Sequence, residues 1–152
     1  MQKNKRVVIL MATYNGARFL EKQLASIEKS IHQNFELWVS DDGSKDQTLD
    51  ILDSYQERWQ KLWGEKRLFI QKGPRKGFGA NFLSLLKAPF KADYVAFSDQ
   101  DDIWLPHKLS QALERLEIVP DGAPALYCGR TELINEEENP LGLSPLFQKP
   151  PC

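Results

Sequence analysis

A chain of 152 residues, 41% apolar and 27% charged, is long enough to bury a core and has a globular rather than a disordered composition. Its formal net charge of −1, with lysines and arginines spread along the chain, gives no electrostatic reason to expect nucleic acid or an anionic membrane surface as a partner. The charged start Met1–Arg6 leads into an apolar run of only six residues, Val7 to Ala12, too short for a signal-peptide core or a membrane span, so a cytoplasmic location is expected.

Short apolar runs then alternate with stretches of helical period, the pattern of an α/β protein with a mostly parallel sheet. Val7-Val8-Ile9-Leu10-Met11 is continuous and carries β-branched residues, as in a strand covered on both faces. After the Asn15-Gly16 turn, Leu20, Leu24, Ile27 and Ile31 recur at helical spacing and predict a helix over residues 17–32. Phe35 to Ser40 is the second strand. Leu49, Leu52, Tyr55 and Trp59 mark the next helix, with Asp46 as its N-cap. Leu68-Phe69-Ile70 is the third strand, and residues 73–79 form a loop ahead of a helix carrying Phe82, Leu85 and Leu86. Tyr94 to Phe97 is a fourth strand that runs straight into an acidic loop. Pro106 opens a further helix, at a position where proline is tolerated, with Leu109, Leu113 and Leu116 on one face. Ala125 to Cys128 reads as a fifth strand in which Cys128 is a buried small residue; Cys152 ends the chain, and no disulfide is expected. Glu132-Leu133-Ile134 is half of a hairpin turning at residues 136–139. No linker or repeat divides the sequence, so residues 1–152 are expected to form a single domain. The aperiodic end Leu143–Cys152 leaves Leu146 and Phe147 in need of a covering surface, and the chain is expected to be the N-terminal part of a longer protein.

Three polar clusters follow directly after predicted strands: Thr13-Tyr14-Asn15, Asp41-Asp42-Gly43-Ser44 and Asp99-Gln100-Asp101-Asp102. In open α/β sheets that edge is where ligands bind, so the clusters should converge on one crevice. Three carboxylates within Asp99–Asp102 repel one another, and a hard divalent cation with oxygen ligands would resolve the repulsion. Solvated acids capping the helix near Pro106 are the bland alternative. Asp41-Asp42 suits a turn, with Gly43 supplying a positive φ, but a carboxylate at the ligand edge also accepts an N–H from a base, be it uracil, thymine or guanine. Tyr14 offers an aromatic face to such a base, and the helix after it offers backbone N–H groups. Lys76 and Asn81, in and after the basic glycine loop, are candidates for a diphosphate contact, whereas Arg75 reads as a solvated loop residue. The order Gly77-Phe78-Gly79 has the spacing of neither a P-loop nor a dinucleotide fingerprint. His32 and His107 read as surface or helix-end residues.

Val8 to Asn15, Trp38 to Thr48, and Phe97 to Leu109 together resemble the successive signatures of family 2 glycosyltransferases, from about Arg6 to about Asn139 and in the right order. The Asp-Gln-Asp-Asp form is similar to that of bacterial rhamnosyltransferase-like members that build surface polysaccharides. The resemblance implies a GT-A fold, that is, a Rossmann-like, mostly parallel sheet with helices on both faces. It implies an inverting transfer from a nucleotide-diphospho-sugar, UDP- or dTDP-linked, to a glycan or lipid-linked acceptor, at the inner face of the membrane. By motif position Thr13, Tyr14 and Asn15 would line the nucleotide, Asp42 would bond the base N–H, and Asp99 would face the ribose and metal-bound water. Asp101 would bind Mg2+ or Mn2+ directly, with Asp102 as a further ligand. The base that activates the acceptor hydroxyl lies, in this family, beyond the matched region, so the chain is expected to bind donor better than it transfers sugar. Two other readings stay open on the residues alone: a nucleotide-holding regulatory domain without catalysis, and a nucleotidyltransferase. The first would want its acidic pair after the first strand, and the second a richer glycine loop there than Asn15-Gly16-Ala17-Arg18.

Overall fold

Strand β1 (Val7–Thr13) is hydrogen-bonded in parallel on both sides, and Val7 to Met11 are at most 2% exposed. The computed structural model describes residues 4–120 and 122–145. Leu146, Phe147 and Cys152, for which the sequence raised expectations, lie outside the described residues. Two compact units are formed, Met1–Ser110 and Gln111–Cys152.

In unit 1, β1 is followed by α1 (Ala17–Glu28), β2 (Phe35–Asp41), α2 (Thr48–Trp63), β3 (Leu68–Lys72), α3 (Phe78–Leu85) and β4 (Tyr94–Ser98), with α4 (Lys108–Leu116) beginning near its end. The four strands are all parallel in the order β3-β2-β1-β4. Side chains alternate across the sheet. One face presents Val8, Leu10 and Trp38 to Phe82 and Leu85 of α3, with Phe90 beside them. On the other, Phe35 meets Trp59 of α2 edge to face at 5.8 Å, and Tyr55 of α2 donates its hydroxyl to the Glu21 carbonyl of α1. The helices thus cover both faces, which is why β1 reads as an unbroken apolar run. The register places Thr13, Asp41 and Lys72 side by side at the C-terminal edge, with Ser98 two residues back beside Met11.

Several boundaries differ from the sequence reading. Helix α1 stops at Glu28, not His32, because the next amides find other partners: Ser30 donates to Ile27, and Ile31 donates to the Pro106 carbonyl at 2.8 Å. Ile31 is consequently exposed, whatever its helical spacing. Helix α4 begins at Lys108, and Pro106 lies in the turn before it.

In unit 2, Ala125 to Cys128 is not a strand. An extended run becomes one only where a neighbour supplies ladder hydrogen bonds, and none does so among the described residues. Leu126 is therefore exposed, and Cys128, expected to be buried, is an exposed free thiol. The predicted hairpin is present as β5 (Glu132–Ile134) and β6 (Pro140–Leu143). Its turn is organised by Asn135, whose side-chain oxygen accepts from Glu137 N and Asn139 N at 3.0 and 2.9 Å.

Helices α1 and α2 start against each other through a single carboxylate. Asp46 Oδ1 accepts from Thr48 N at 3.0 Å and from the Thr48 hydroxyl at 2.5 Å, while Oδ2 accepts from Ala17 N at 3.0 Å. One residue ahead of the formal cap position, it satisfies an orphan donor at the start of both helices. Burial acts to raise the Asp46 acid, but the hydrogen bonds from Thr48 and Ala17 outweigh it and hold it below the ordinary 3.8. A depressed folded-state acid contributes stability above the unfolded value and loses it as pH falls through the folded one. Asp46→Ala should therefore lower the unfolding free energy by about 1–2 kcal/mol at pH 7. In urea melts the gap to the unsubstituted chain should close as the pH is taken below 3.8.

Candidate functional site

The C-terminal edge of the sheet opens into a cleft of about 1370 Å³, lined among others by Thr13, Tyr14, Asp41, Asp42, Asn81, Asp99 and Asp101. The three polar clusters, separated by tens of residues in sequence, do converge. Their side chains divide into those that build the cleft and those left free within it.

Asp41 is a builder. It is 6% exposed, and its carboxylate accepts from the Thr13 hydroxyl (2.8 Å), Gly43 N (3.1 Å), Ser44 N (2.9 Å) and the Ser44 hydroxyl (2.6 Å). These bonds close the turn after β2, for which Gly43 adopts a φ of +97°. Thr13 lines the cleft, but its hydroxyl is spent on Asp41. Asn15, at a φ of +46°, ties the first loop to the second: its N–H donates to Ser44 Oγ at 2.9 Å and its side-chain oxygen accepts from Lys45 N at 2.8 Å. Asn15 does not line the cleft itself.

Asp42 faces the opposite way, toward the glycine loop, where it accepts from Arg75 N at 2.5 Å and Gly77 N at 3.0 Å. Each oxygen keeps a lone pair for a further donor. Gly73 is required beside it, since a Cβ there would lie 2.7 Å from Asp42 Oδ1 and 2.5 Å from Asn81 Oδ1. Asn81 is 1% exposed and donates its amide to the Ser40 carbonyl at 2.7 Å. Its Oδ1 has no hydrogen-bond partner among the described residues. That free atom is an acceptor, so it suits an N–H or a water rather than the phosphate oxygens assigned to it from the sequence. Lys76 is exposed and does not line the cleft; Lys45, Lys72 and Arg75 do.

Tyr14 is 55% exposed, leaving its ring open to the cleft. Its backbone is gripped by the acidic loop: Tyr14 N donates to Gln100 Oε1 at 3.0 Å, and Gln100 Nε2 donates to Tyr14 O at 3.1 Å. The carboxylates of Asp99, Asp101 and Asp102 receive no hydrogen bond among the described residues. Burial pushes the Asp102 acid up, and the charges of Asp99 and Asp101 push it further, against Lys108. Uncompensated negative charge of this kind suits a hard cation. No three acidic, His or Cys side chains converge as a ready-made metal cage among the described residues. The set instead fits Mg2+ or Mn2+ taking one or two carboxylates and completing its shell with ligand and water oxygens. Asp99 and Asp101 line the cleft, whereas Asp102 lines an adjoining apolar groove with Asp99, Phe78 and Phe97.

Sequence reasoning missed the residue that holds this loop in place. Gln23 of α1 is fully buried on the same face as Leu20, Leu24 and Ile27. In the amide orientation that satisfies every partner, Nε2 donates to the Asp102 carbonyl and to Ser26 Oγ (3.0 Å), and Oε1 accepts from Ser98 Oγ (2.6 Å) and Trp104 Nε1 (3.3 Å). Ser26 Oγ accepts from Trp104 N at 2.9 Å. One amide therefore joins both ends of the acidic loop to α1. The available signal was a polar residue within the apolar stripe of an amphipathic helix, which is costly unless it is bonded.

Residues 8–149 match the sequence model of the family described as Glycosyl transferase family 2. The chain is 37% identical over 108 residues to dTDP-rhamnosyl transferase RfbG of Shigella flexneri, covering 70% of this chain and 36% of that protein. It is 31% identical over 130 residues to WfgD of Escherichia coli, a UDP-Glc:alpha-D-GlcNAc-diphosphoundecaprenol beta-1,3-glucosyltransferase, covering 85% of this chain and 47% of that protein. Among solved structures, mannosyltransferase PcManGT from Pyrobaculum calidifontis, in complex with GDP-Man and Mn2+, superposes with a TM-score of 0.64 at 24% identity, over 76% of this chain and 33% of that one. S. aureus TarS 1-349 in complex with UDP-GlcNAc superposes with a TM-score of 0.59 at 26% identity, over 74% and 31%. The architecture is that of the GT-A fold, and the chain spans less than half the length of the curated relatives named here.

Replacing Gln23 by Met keeps the volume but leaves the Trp104 indole and the Asp102 carbonyl without the amide that satisfies them, while Ser98 Oγ keeps only the Asp99 carbonyl. At about 1–3 kcal/mol for each buried polar group left unsatisfied, Gln23→Met should destabilise the fold by at least about 2 kcal/mol. Chemical unfolding followed by tryptophan fluorescence measures it, and an unchanged midpoint would show that the staple is dispensable.

Proposed function

The chain belongs to glycosyl transferase family 2, and on that premise we propose that it holds the nucleotide-diphospho-sugar donor and a divalent cation for a metal-dependent, inverting sugar transfer. The observation that carries this reading is the meeting of Tyr14, Asp42, Asp99 and Asp101 in one cleft at the sheet edge. The base lies on the exposed Tyr14 ring, and Asp42 accepts its ring N–H. Uracil and thymine satisfy that contact, as in the donors of WfgD and RfbG. Asn81 Oδ1, buried next to Asp42, is a second acceptor on that side.

Toward the phosphates, Lys45 and Lys72 line the cleft and form no ion pair among the described residues. They supply positive charge where Lys76 does not reach. Asp99 lies toward the ribose and the cation, and Asp101 is the direct ligand of Mg2+ or Mn2+; Asp102, turned to the adjoining groove, is at most an outer partner. The bound cation would act as a Lewis acid, offsetting charge on the leaving diphosphate. The acceptor is a glycan or lipid-linked sugar of a surface polysaccharide, met at the cytoplasmic face of the membrane. No helix among the described residues is long and apolar enough to cross a membrane. No residue of this chain is assigned as the base that takes the acceptor proton.

Calorimetry with UDP, dTDP and GDP, with and without Mn2+, tests this reading. Binding of UDP or dTDP should tighten markedly with the metal and, in its presence, should weaken at least about ten-fold in Asp101→Ala, an effect of about 1.4 kcal/mol. Tyr14→Ala should weaken it whether or not metal is present. Equal affinity with and without Mn2+, or no binding of any of the three, would overturn the assignment.

A further inference from the structure

Resting on that donor reading, we propose that Gln100 is a positioning residue that couples the acidic loop to the base platform. A cation at Asp99 and Asp101 and a base at Tyr14 would then strengthen each other's binding without touching. Gln100 stands between the two carboxylates in sequence, so any rearrangement that brings them to a common ion moves its backbone. Its side chain leaves the loop entirely and engages both polar groups of Tyr14, accepting from the N–H at 3.0 Å and donating to the carbonyl at 3.1 Å.

The Tyr14 side of the contact is equally specific. The next residue, Asn15, is already fixed by Ser44 and Lys45 in a left-handed conformation. Thr13, the residue before, is fixed by Asp41 and by the Asp42 N–H on its carbonyl. The peptide groups of Tyr14 are what remain, and Gln100 holds them. Space for that amide exists because residue 16 is glycine: a Cβ on Gly16 would run into Gln100 Oε1 and lie 2.6 Å from its Cδ. Gly16 has a φ of −99°, so its need for glycine is this close approach and not its backbone angle.

The consequence is an energetic link. A common ion draws Asp99 and Asp101 together against their mutual repulsion, shifts the Gln100 backbone between them, and through the Gln100 amide acts on the peptide groups of the residue that carries the base. Such coupling is reciprocal, so the base must favour the cation by the same factor.

Uridine and thymidine, which lack phosphates, exclude a metal bridge through the diphosphate, and the Gln100 and Gly16 variants separate the amide path from a contact between Asp99 and the ribose. NMR titration should show saturating Mg2+ tightening nucleoside binding roughly five-fold, and the Tyr14 amide resonance should move on adding Mg2+ alone. Gln100→Leu removes the amide, and Gly16→Ala displaces its flexible end while leaving its chemistry intact. In both, the factor should fall to about one and the Tyr14 amide should cease to respond, with each ligand still binding alone. Should the leucine variant not fold, Gln100→Asn, too short to reach both groups, replaces it. A five-fold factor retained in both variants, or a factor of one in the unsubstituted chain despite binding of each ligand, would overturn the role of Gln100 and leave the donor site standing. Failure of the unsubstituted chain to bind either ligand would instead remove the donor reading and this inference with it.

Discussion

β1 is paired in parallel with β2 on one side and β4 on the other, and that double pairing dictates where the polar loops of unit 1 can go. Parallel strands all end at one edge. Connections from one strand to the next must return across a face of the sheet, which α1, α2 and α3 do. Loops following β1, β2, β3 and β4 are thereby forced into one neighbourhood, and Thr13, Asp41, Lys72 and Ser98 become near neighbours despite their separation in sequence. The cost is a concentration of carboxylates where strand ends leave little room to disperse charge.

How each of those carboxylates is compensated separates scaffold from site. Asp41, Asp42 and Asp46 each accept from two or more backbone N–H groups. Asp41 and Asp46 add hydroxyls from Thr13, Ser44 and Thr48 and are used up by the turn and the helix starts. Asp42 is intermediate, held by the glycine loop yet lining the cleft with unused lone pairs. Asp99, Asp101 and Asp102 have no such donors, and burial, followed by the charges of Asp99 and Asp101, raises the acid of Asp102. Acids that a protein leaves uncompensated at a ligand edge call for an external cation, whereas acids saturated with amides do not.

The same distinction explains what could be read from the sequence. Apolar runs and their period located β1 to β4 and α1 to α3, because burial on both faces of a parallel sheet leaves a strong imprint. Strand ends followed by Thr13, Asp41-Asp42 and Asp99 located the cleft, because topology fixes which edge is functional. What sequence could not assign was the direction of each side chain. Nothing in the order of residues says that Asp41 turns inward to close its own loop while Asp42 turns to residues 75 and 77, or that Asp102 faces a different groove from Asp101. Asn81 was a candidate for a diphosphate contact because its type permits it; its amide N–H groups instead go to the Ser40 and Thr13 carbonyls, 41 and 68 residues away. At Ala125–Cys128 the apolar pattern was a strand pattern, but a strand also needs a partner, which composition cannot report.

The two residues that best escaped sequence reasoning, Gln23 and Gln100, share a chemical reason for being amides. Each must satisfy a donor and an acceptor at once: Gln23 meets the Ser98 hydroxyl and the Asp102 carbonyl, Gln100 the N–H and carbonyl of Tyr14. A carboxylate offers only acceptors and an ammonium only donors. Glutamate at position 100 would aim an acceptor at the Tyr14 carbonyl and add a fourth negative charge to the loop; at position 23 it would bury a charge without a cationic partner and set an oxygen against the Asp102 carbonyl. A lysine would compete with the cation for Asp99 and Asp101. A neutral group with both polarities holds an acidic loop firmly while leaving its charge for the metal, which ties the choice of glutamine directly to the electrostatics of the cleft.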